Sequence, residues 1–136
     1  MSRIVGLDPG AVRIGVAVSD PLFLTAQPYG NLDAVASDLD GRLRDLAVDT
    51  GAERFVVGLP VGLDGREGAA AGDARKLADR VAEATGIPVD LYDERFSTVT
   101  AERVLVSAGV RRKRRRDVRD RVAAAVFLQA YLDGRR

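Results

Sequence analysis

The sequence predicts an α/β domain on a mixed sheet, with antiparallel strands first, strand-helix alternation afterwards and helices on the sheet faces. Three observations predict it. Two β-branched runs, Arg3 to Asp8 and Val12 to Ser19, open the chain and are separated only by a Pro9-Gly10 turn. From Asp33 the apolar period becomes helical, and short apolar runs then alternate with helical stripes. The 136 residues hold no internal repeat, low-complexity linker or composition break, so a single domain over 1–136 is expected.

Taken in order, RIVGLD reads as a buried strand, and the turn behind it joins VRIGVAVS as a hairpin. Leu24 to Leu32 is a weaker third strand; Pro28 and Gly30 consign it to the sheet edge or half out of regular structure. Val35, Leu39, Leu43 and Leu46 recur at helical spacing with Gly51 as the stop. Gly41 inside that helix costs about 1 kcal/mol relative to Ala. RFVVG, residues 54–58, is an apolar run too short for a helix and therefore a strand, and it empties into the glycine-punctuated LPVGLDGREG. Ala70, Ala74, Leu77, Val81 and Ala84 mark a second helix, closed by Gly86 and Pro88, and Val89 to Tyr92 is the next strand. Ser97 caps a helix with the stripe Ala101, Val104, Leu105 and Ala108, ended by Gly109. Asp117 caps the last helix, whose VAAAVFLQAYL has Gln129 as its one strongly polar side chain, a composition that implies burial on more than one side.

Composition excludes several chemistries. The chain has no His and no Cys, so it can build no disulfide, thiolate nucleophile, Cys/His zinc site or imidazole acid-base pair. Any metal must be held by oxygen, and carboxylates suit Mg²⁺ or Mn²⁺. No apolar run approaches the ~20 residues needed to span a bilayer. Met1 to Asp8 is too short and polar for a secretory signal, so a cytoplasmic protein with no membrane partner is expected. The formal charge of +1 conceals an asymmetry: residues 111–121 carry +6 and the rest of the chain −5. Such a run reads either as a solvated, self-repelling loop or as a grip on a polyanion, nucleic acid above all.

In an open α/β sheet, ligands bind beyond the carboxyl ends of the parallel strands. Asp8 closes the first strand, Asp93-Glu94 close the strand begun near Val89, and Asp120 stands in the first turn of the last helix. Each acid has a structural reading as well. Asp8 before Pro-Gly suits a turn, Glu94 beside Arg95 suits an ion pair, and Asp120 suits the helix macrodipole. Three acids meeting at one edge would repel one another unless a cation or a proton relieved them.

LDPGAVRIGVAVSD, VVGLPVGLDG, DERFST and DRVAAAVFLQAYLD stand here in the order and spacing of the YqgF/RuvX family, which this sequence resembles over nearly its whole length. The resemblance implies an RNase H-like fold and a metal-dependent nuclease, described in the family as a pre-16S rRNA processing nuclease and as a Holliday junction resolvase-like protein. Carried over by motif, the metal-holding catalytic acids are Asp8, Glu94 and Asp120. The resemblance thus prefers Glu94 of the DE pair, and strand alternation, which sends neighbours to opposite faces, lets only one of the two face the site. The implied cofactor is Mg²⁺ or Mn²⁺, and the implied substrate is structured RNA or branched DNA. Arg111, Arg112, Lys113, Arg114, Arg115 and Arg116 would grip phosphates, Arg13 would keep one phosphate contact near the site, and Arg95 and the loop from Gly58 to Gly65 would orient the scissile phosphate, though that loop reads equally as an ordinary connection. One departure stands out: the family commonly has two basic residues before IGVAVSD, whereas Val12 precedes Arg13 here. One phosphate contact is then missing, which the arginine run can offset.

Two competing classes are a non-catalytic nucleic-acid-binding module and a small-molecule phosphotransferase. The second lacks a P-loop and a second lobe to close over a nucleotide. A junction resolvase would be expected to act as a homodimer, since a four-way junction has two-fold symmetry. The apolar helix from Val122 to Leu132 is either its interface or, more in keeping with its composition, core.

Overall fold

The computed structural model describes residues 2–60, 67–93 and 112–135, with 112–121 described by their backbone. The described elements are strands β1 (Arg3–Asp8), β2 (Arg13–Ser19), β3 (Ala26–Asp33), β4 (Ala52–Leu59) and β5 (Val89–Asp93), with helices α1 (Leu39–Thr50), α2 (Ala69–Thr85) and α3 (Arg112–Gly134). The strands form one sheet in the order β3-β2-β1-β4-β5. The short β1–β2 connection makes that pair antiparallel, with Val5 opposite Val18 and Asp8 opposite Gly15, and β2–β3 is antiparallel too. β4 lies parallel to β1 and to β5, each reached by a connection that carries a helix.

Strand alternation divides the core between two layers. Val5, Leu7, Ile14, Val16, Phe55 and Val57 face α1 and α2, packing on Leu39, Leu43, Ala74 and Val81. Ile4, Ala17 and Val56 face the other way, onto Ala124, Phe127, Leu128 and Leu132 of α3. Helices thus cover both faces of a mixed sheet, as the sequence pattern requires. The apolar stretch of α3 is core; its buried face is spent on the sheet and is not open to a second copy.

Four boundaries correct the sequence reading. Val35 is not the first residue of a helix: it is 73% exposed, and α1 starts at Leu39, behind Asp38. Val12 falls in the turn, and β2 starts at Arg13. The third strand runs Ala26–Asp33 and not Leu24 to Leu32; it lies at the sheet edge, as expected, and is a full strand, with the register break opposite Val16/Ala17 absorbing the Pro28 region. The described part of the last helix already starts at Arg112 and not at Asp117, so residues 112–116 are helical and not a loop, and position 117 lies inside the helix rather than at its start. Arg and Lys are good helix formers, and their propensity carries the apolar helix backward through the charge run. The helix expected over 97–108 lies outside the described residues. No helix among the described residues is long and apolar enough to cross a membrane.

Candidate active site

The carboxyl ends of β1, β4 and β5 define one edge of the sheet. Asp8 is the last residue of β1 and is half-buried. Ile4 faces α3 and Val5 and Leu7 face away, so alternation assigns Asp8 to the α3 side. On β5, Tyr92 packs with α3 while its neighbour Asp93 pairs in register with Leu59 of the opposite layer. Asp93 therefore belongs to the face away from Asp8, in keeping with the preference for the residue after it. Glu94 itself, with Arg95 and Arg111, lies outside the described residues.

α3 runs antiparallel to β1 and β5. Phe127 stacks on Tyr92 with ring centroids 6.4 Å apart, whereas Tyr131, one turn later, donates its hydroxyl to Asp90, two residues earlier in β5. Over β1, a Cβ added at Gly6 would meet Leu128 Cβ at 3.1 Å and the Ala124 carbonyl oxygen at 3.5 Å. From that crossing, two strand residues lead to Asp8, a step of about 6.6 Å. One helical turn back from Ala124 leads to position 120, a step of about 6 Å in the same direction. The backbone thus carries positions 8 and 120 to the same end of the same layer.

The longer helix also alters the reading of Asp120. It stands in the third turn of α3, not the first. Macrodipole effects fade within the first turn, so helix electrostatics no longer accounts for an acid at that position. The basic positions 112–116 occupy the opening turns of the same helix, whereas Arg13 stands apart from it, at the start of β2 and half-buried.

Three features that tie α3 and the sheet together were not singled out as functional from the sequence; all but the first lie at the β2–β3 connection, the end of the sheet away from Asp8. Gly6 is a glycine inside an apolar strand, a signal for close backbone approach, and here the backbone approached is that of α3. Gln129, noticed only as a lone polar residue, accepts from the Ala26 N–H at 2.9 Å and donates to the Leu24 carbonyl at 2.9 Å. It fixes the β2–β3 connection to α3. That connection is itself folded around Asp20, whose carboxylate accepts from the Leu24 and Thr25 N–H groups at 2.7 and 2.8 Å. Those bonds, Thr25 foremost, hold the Asp20 carboxyl below its ordinary pKa. Behind it, buried Ser19 accepts from the Ile4 N–H at 2.8 Å and so extends the β1–β2 ladder with its side chain.

Among the described residues, no three acidic side chains gather closely enough to hold a metal. Of the expected set, only Asp8 is described with its side chain. The donor chemistry suits a hard divalent cation, because a chain without His or Cys offers oxygen ligands.

The model of a family described as RuvX, Holliday junction resolvase, matches residues 2–134. A protein named "Putative pre-16S rRNA nuclease" from Symbiobacterium thermophilum is 48% identical over 134 residues, which cover 98% of this chain and 93% of the relative. Its namesake from Syntrophomonas wolfei is 44% identical over 133 residues, 97% of this chain and 94% of that one. Among solved structures, Thermus thermophilus RuvC in complex with a Holliday junction substrate superposes with a TM-score of 0.58 at 18% identity, covering 99% of this chain and 96% of its own. The fowlpox virus Holliday junction resolvase gives 0.55 at 10% identity over 97% and 99%. At such identities the structures speak for the fold alone, and that fold is the RNase H-like one.

Proposed function

Because this chain belongs to the RuvX family, we propose that it is a metal-dependent endonuclease of structured nucleic acid, acting in 5′-end processing of pre-16S rRNA. Membership makes it a nuclease, a hydrolase of nucleic-acid ester bonds. The relatives' name supports the RNA substrate. The observation that carries the catalytic assignment is the antiparallel course of α3, which brings position 120 to the end of the sheet that Asp8 closes.

In this reading Asp8, Glu94 and Asp120 hold Mg²⁺ or Mn²⁺. When bound, such an ion supplies charge stabilisation at the scissile phosphate and a lowered pKa for water beside it. The chain's own residues do the rest. Asp8 stands on a strand end fixed by its pairing with Gly15. Positions 111–116 draw the phosphate backbone to the α3 end of the sheet, and their charges carry no base specificity, so selection is by shape. With no imidazole available, proton transfer falls to carboxylates and solvent.

Cleavage of four-way DNA junctions is the second reading, favoured by the family's own description over 2–134. It requires a homodimer that presents two sites. The face of α3 that packs on the sheet is unavailable for that contact, so a dimer would form elsewhere. Cleavage of 16S precursor RNA and of junction DNA, each with Mn²⁺, Mg²⁺ or EDTA, separates the readings. Wild type should cleave the precursor with a divalent ion and not in EDTA, and Asp8→Asn should be inactive. Cleavage by purified Asp8→Asn would overturn the metal assignment, binding without cleavage would leave a non-catalytic module, and junction cleavage alone would select the resolvase.

A further inference from the structure

A cleft of about 260 Å³ opens on the sheet face opposite α3, between α2 and the β1–β2 turn. Its floor is apolar, made by the buried side chains of Ile14, Leu39 and Leu77. Its rim is charged: Asp73, Lys76 and Arg80 project from α2 at the spacing of one helix face. The remaining wall is the turn Pro9 to Ala11, which follows Asp8 directly. That turn doubles back tightly enough that a Cβ at Gly10 would stand 2.3 Å from the Arg13 carbonyl oxygen.

The chemistry of the cleft is mixed in a way that narrows its ligand. Drug-sized ligands occupy pockets of roughly 300–1,000 Å³, so this one is a size below and suits a single nucleotide unit. An inorganic anion would leave the apolar floor unused. A purely apolar ligand would strip water from the rim for no return. Arg80 is held by Asp40, with Nε 2.6 Å from Oδ1, which fixes the guanidinium while leaving it further N–H donors. Lys76 has no ion-pair partner among the described residues. A nucleotide uses all three parts: ring faces on the aliphatic floor, a phosphate at Lys76 and Arg80, and base N–H donors for the Asp73 carboxylate.

We infer that this cleft binds one nucleotide of the substrate, next to the phosphate that is cut. The inference rests on the nuclease reading, since the cleft and Asp8 share the β1–β2 turn from opposite faces of one sheet edge. A strand that passes Asp8 reaches the cleft by rounding that edge. The nucleotide on one side of the cut is thereby held by α2, independently of the arginine run on α3.

Titrating the ¹⁵N-labelled protein with AMP, GMP, CMP and UMP in EDTA tests it apart from catalysis. Saturable amide shifts should appear at Gly10, Ala11 and Leu77. Lys76→Glu, an exposed substitution, should weaken binding at least tenfold, and Asp8→Asn should leave it unchanged. Shifts that never saturate, that fall outside the cleft or that persist in Lys76→Glu would overturn the inference. If the wild type cleaves with Mn²⁺ while no nucleotide enters the cleft, the inference fails and the nuclease reading stands. If nucleotides bind but no substrate is cut under any metal, the reading fails and the cleft remains a nucleotide site.

Discussion

Adding one methyl group at Gly6 should damage catalysis more than it damages the fold. The new Cβ would stand 3.1 Å from Leu128 Cβ, and Leu128 is fully buried. Carbon pairs rest at about 3.5–4.0 Å, so β1 and α3 must part by about half an ångström at their crossing. Overpacking of this kind costs about 1–3 kcal/mol. Removing a strand glycine gives back about 0.5–1 kcal/mol by lowering the entropy of the unfolded chain. The net loss for Gly6→Ala is about 1 kcal/mol, or about 3–5 °C in Tm for a chain this size. Gly6→Val adds two more carbons near the Ala124 carbonyl oxygen and should lose about 2–3 kcal/mol. The same displacement separates positions 8 and 120. A misplacement of about 1 Å costs on the order of 100-fold in rate, so half of that should slow cleavage about tenfold in Gly6→Ala. Circular-dichroism melts and Mn²⁺-dependent cleavage of precursor RNA measure the two effects separately. Wild-type Tm with wild-type rate in Gly6→Val would refute the close approach. A lowered Tm with an unchanged rate would show that it serves packing alone.

Gln129→Leu takes its side-chain acceptor from the part-buried Ala26 N–H, a cost of about 1–3 kcal/mol, and should speed amide exchange at Ala26 before that of β1. The depressed pKa of Asp20, caused first by the Thr25 N–H, means a stabilising contribution that is present above the unfolded carboxyl pKa and is lost as pH falls through the folded one. The Tm gap between wild type and Asp20→Asn should accordingly be open at pH 6 and close on acidification below about pH 4. Tyr131 is shifted upward, by burial first and then by its bond to Asp90, so its contribution is whole below pH ~10 and declines as pH rises further. Tyr131→Phe should abolish that alkaline decline in urea titrations. If about five of the charges at 111–116 neutralise phosphates, log K for duplex should fall with log salt at a slope near −4 to −5, and a flat profile would remove the run from the interface.

Much of this arrangement was legible in the residues. The β-branched runs split by Pro9-Gly10 announced an antiparallel pair, and the Leu39, Leu43 and Leu46 stripe announced α1, because burial on one face imposes a period the eye can count. Alternation required only one of Asp93 and its neighbour to face the α3 side, and the pairing of Asp93 with Leu59 puts Asp93 on the other. What stayed hidden were contacts that depend on distant residues. Nothing near Gly6 reveals that Leu128 lies above it, and nothing near Gln129 reveals the open ladder end at Ala26. Helix starts were misjudged where a plausible cap, Asp117, or a plausible stripe residue, Val35, outweighed weaker signals from propensity and solvent.

The error at Asp117 bears on mechanism. Read as a loop, the +6 segment would have been a flexible tether whose charges average over many positions. Read as the opening of α3, positions 112–116 and position 120 belong to one rod, and their separation is fixed by helical rise. Four to eight residues at 1.5 Å each place the phosphate grip roughly 6–12 Å from the proposed metal ligand along the axis. Phosphates of one strand are spaced about 6–7 Å apart along its own path, twice the 3.4 Å rise per base pair along the helix axis. The rod therefore spans one to two backbone steps between grip and cut. Breaking it tests whether the register matters: Val118→Pro removes a helical hydrogen bond between the two parts and should cost about 3 kcal/mol locally. If one rod sets the cut, Val118→Pro should retain salt-sensitive binding while cleavage falls and the cut sites scatter. A variant that cleaves at the wild-type position and rate would show that the two functions of α3 are independent.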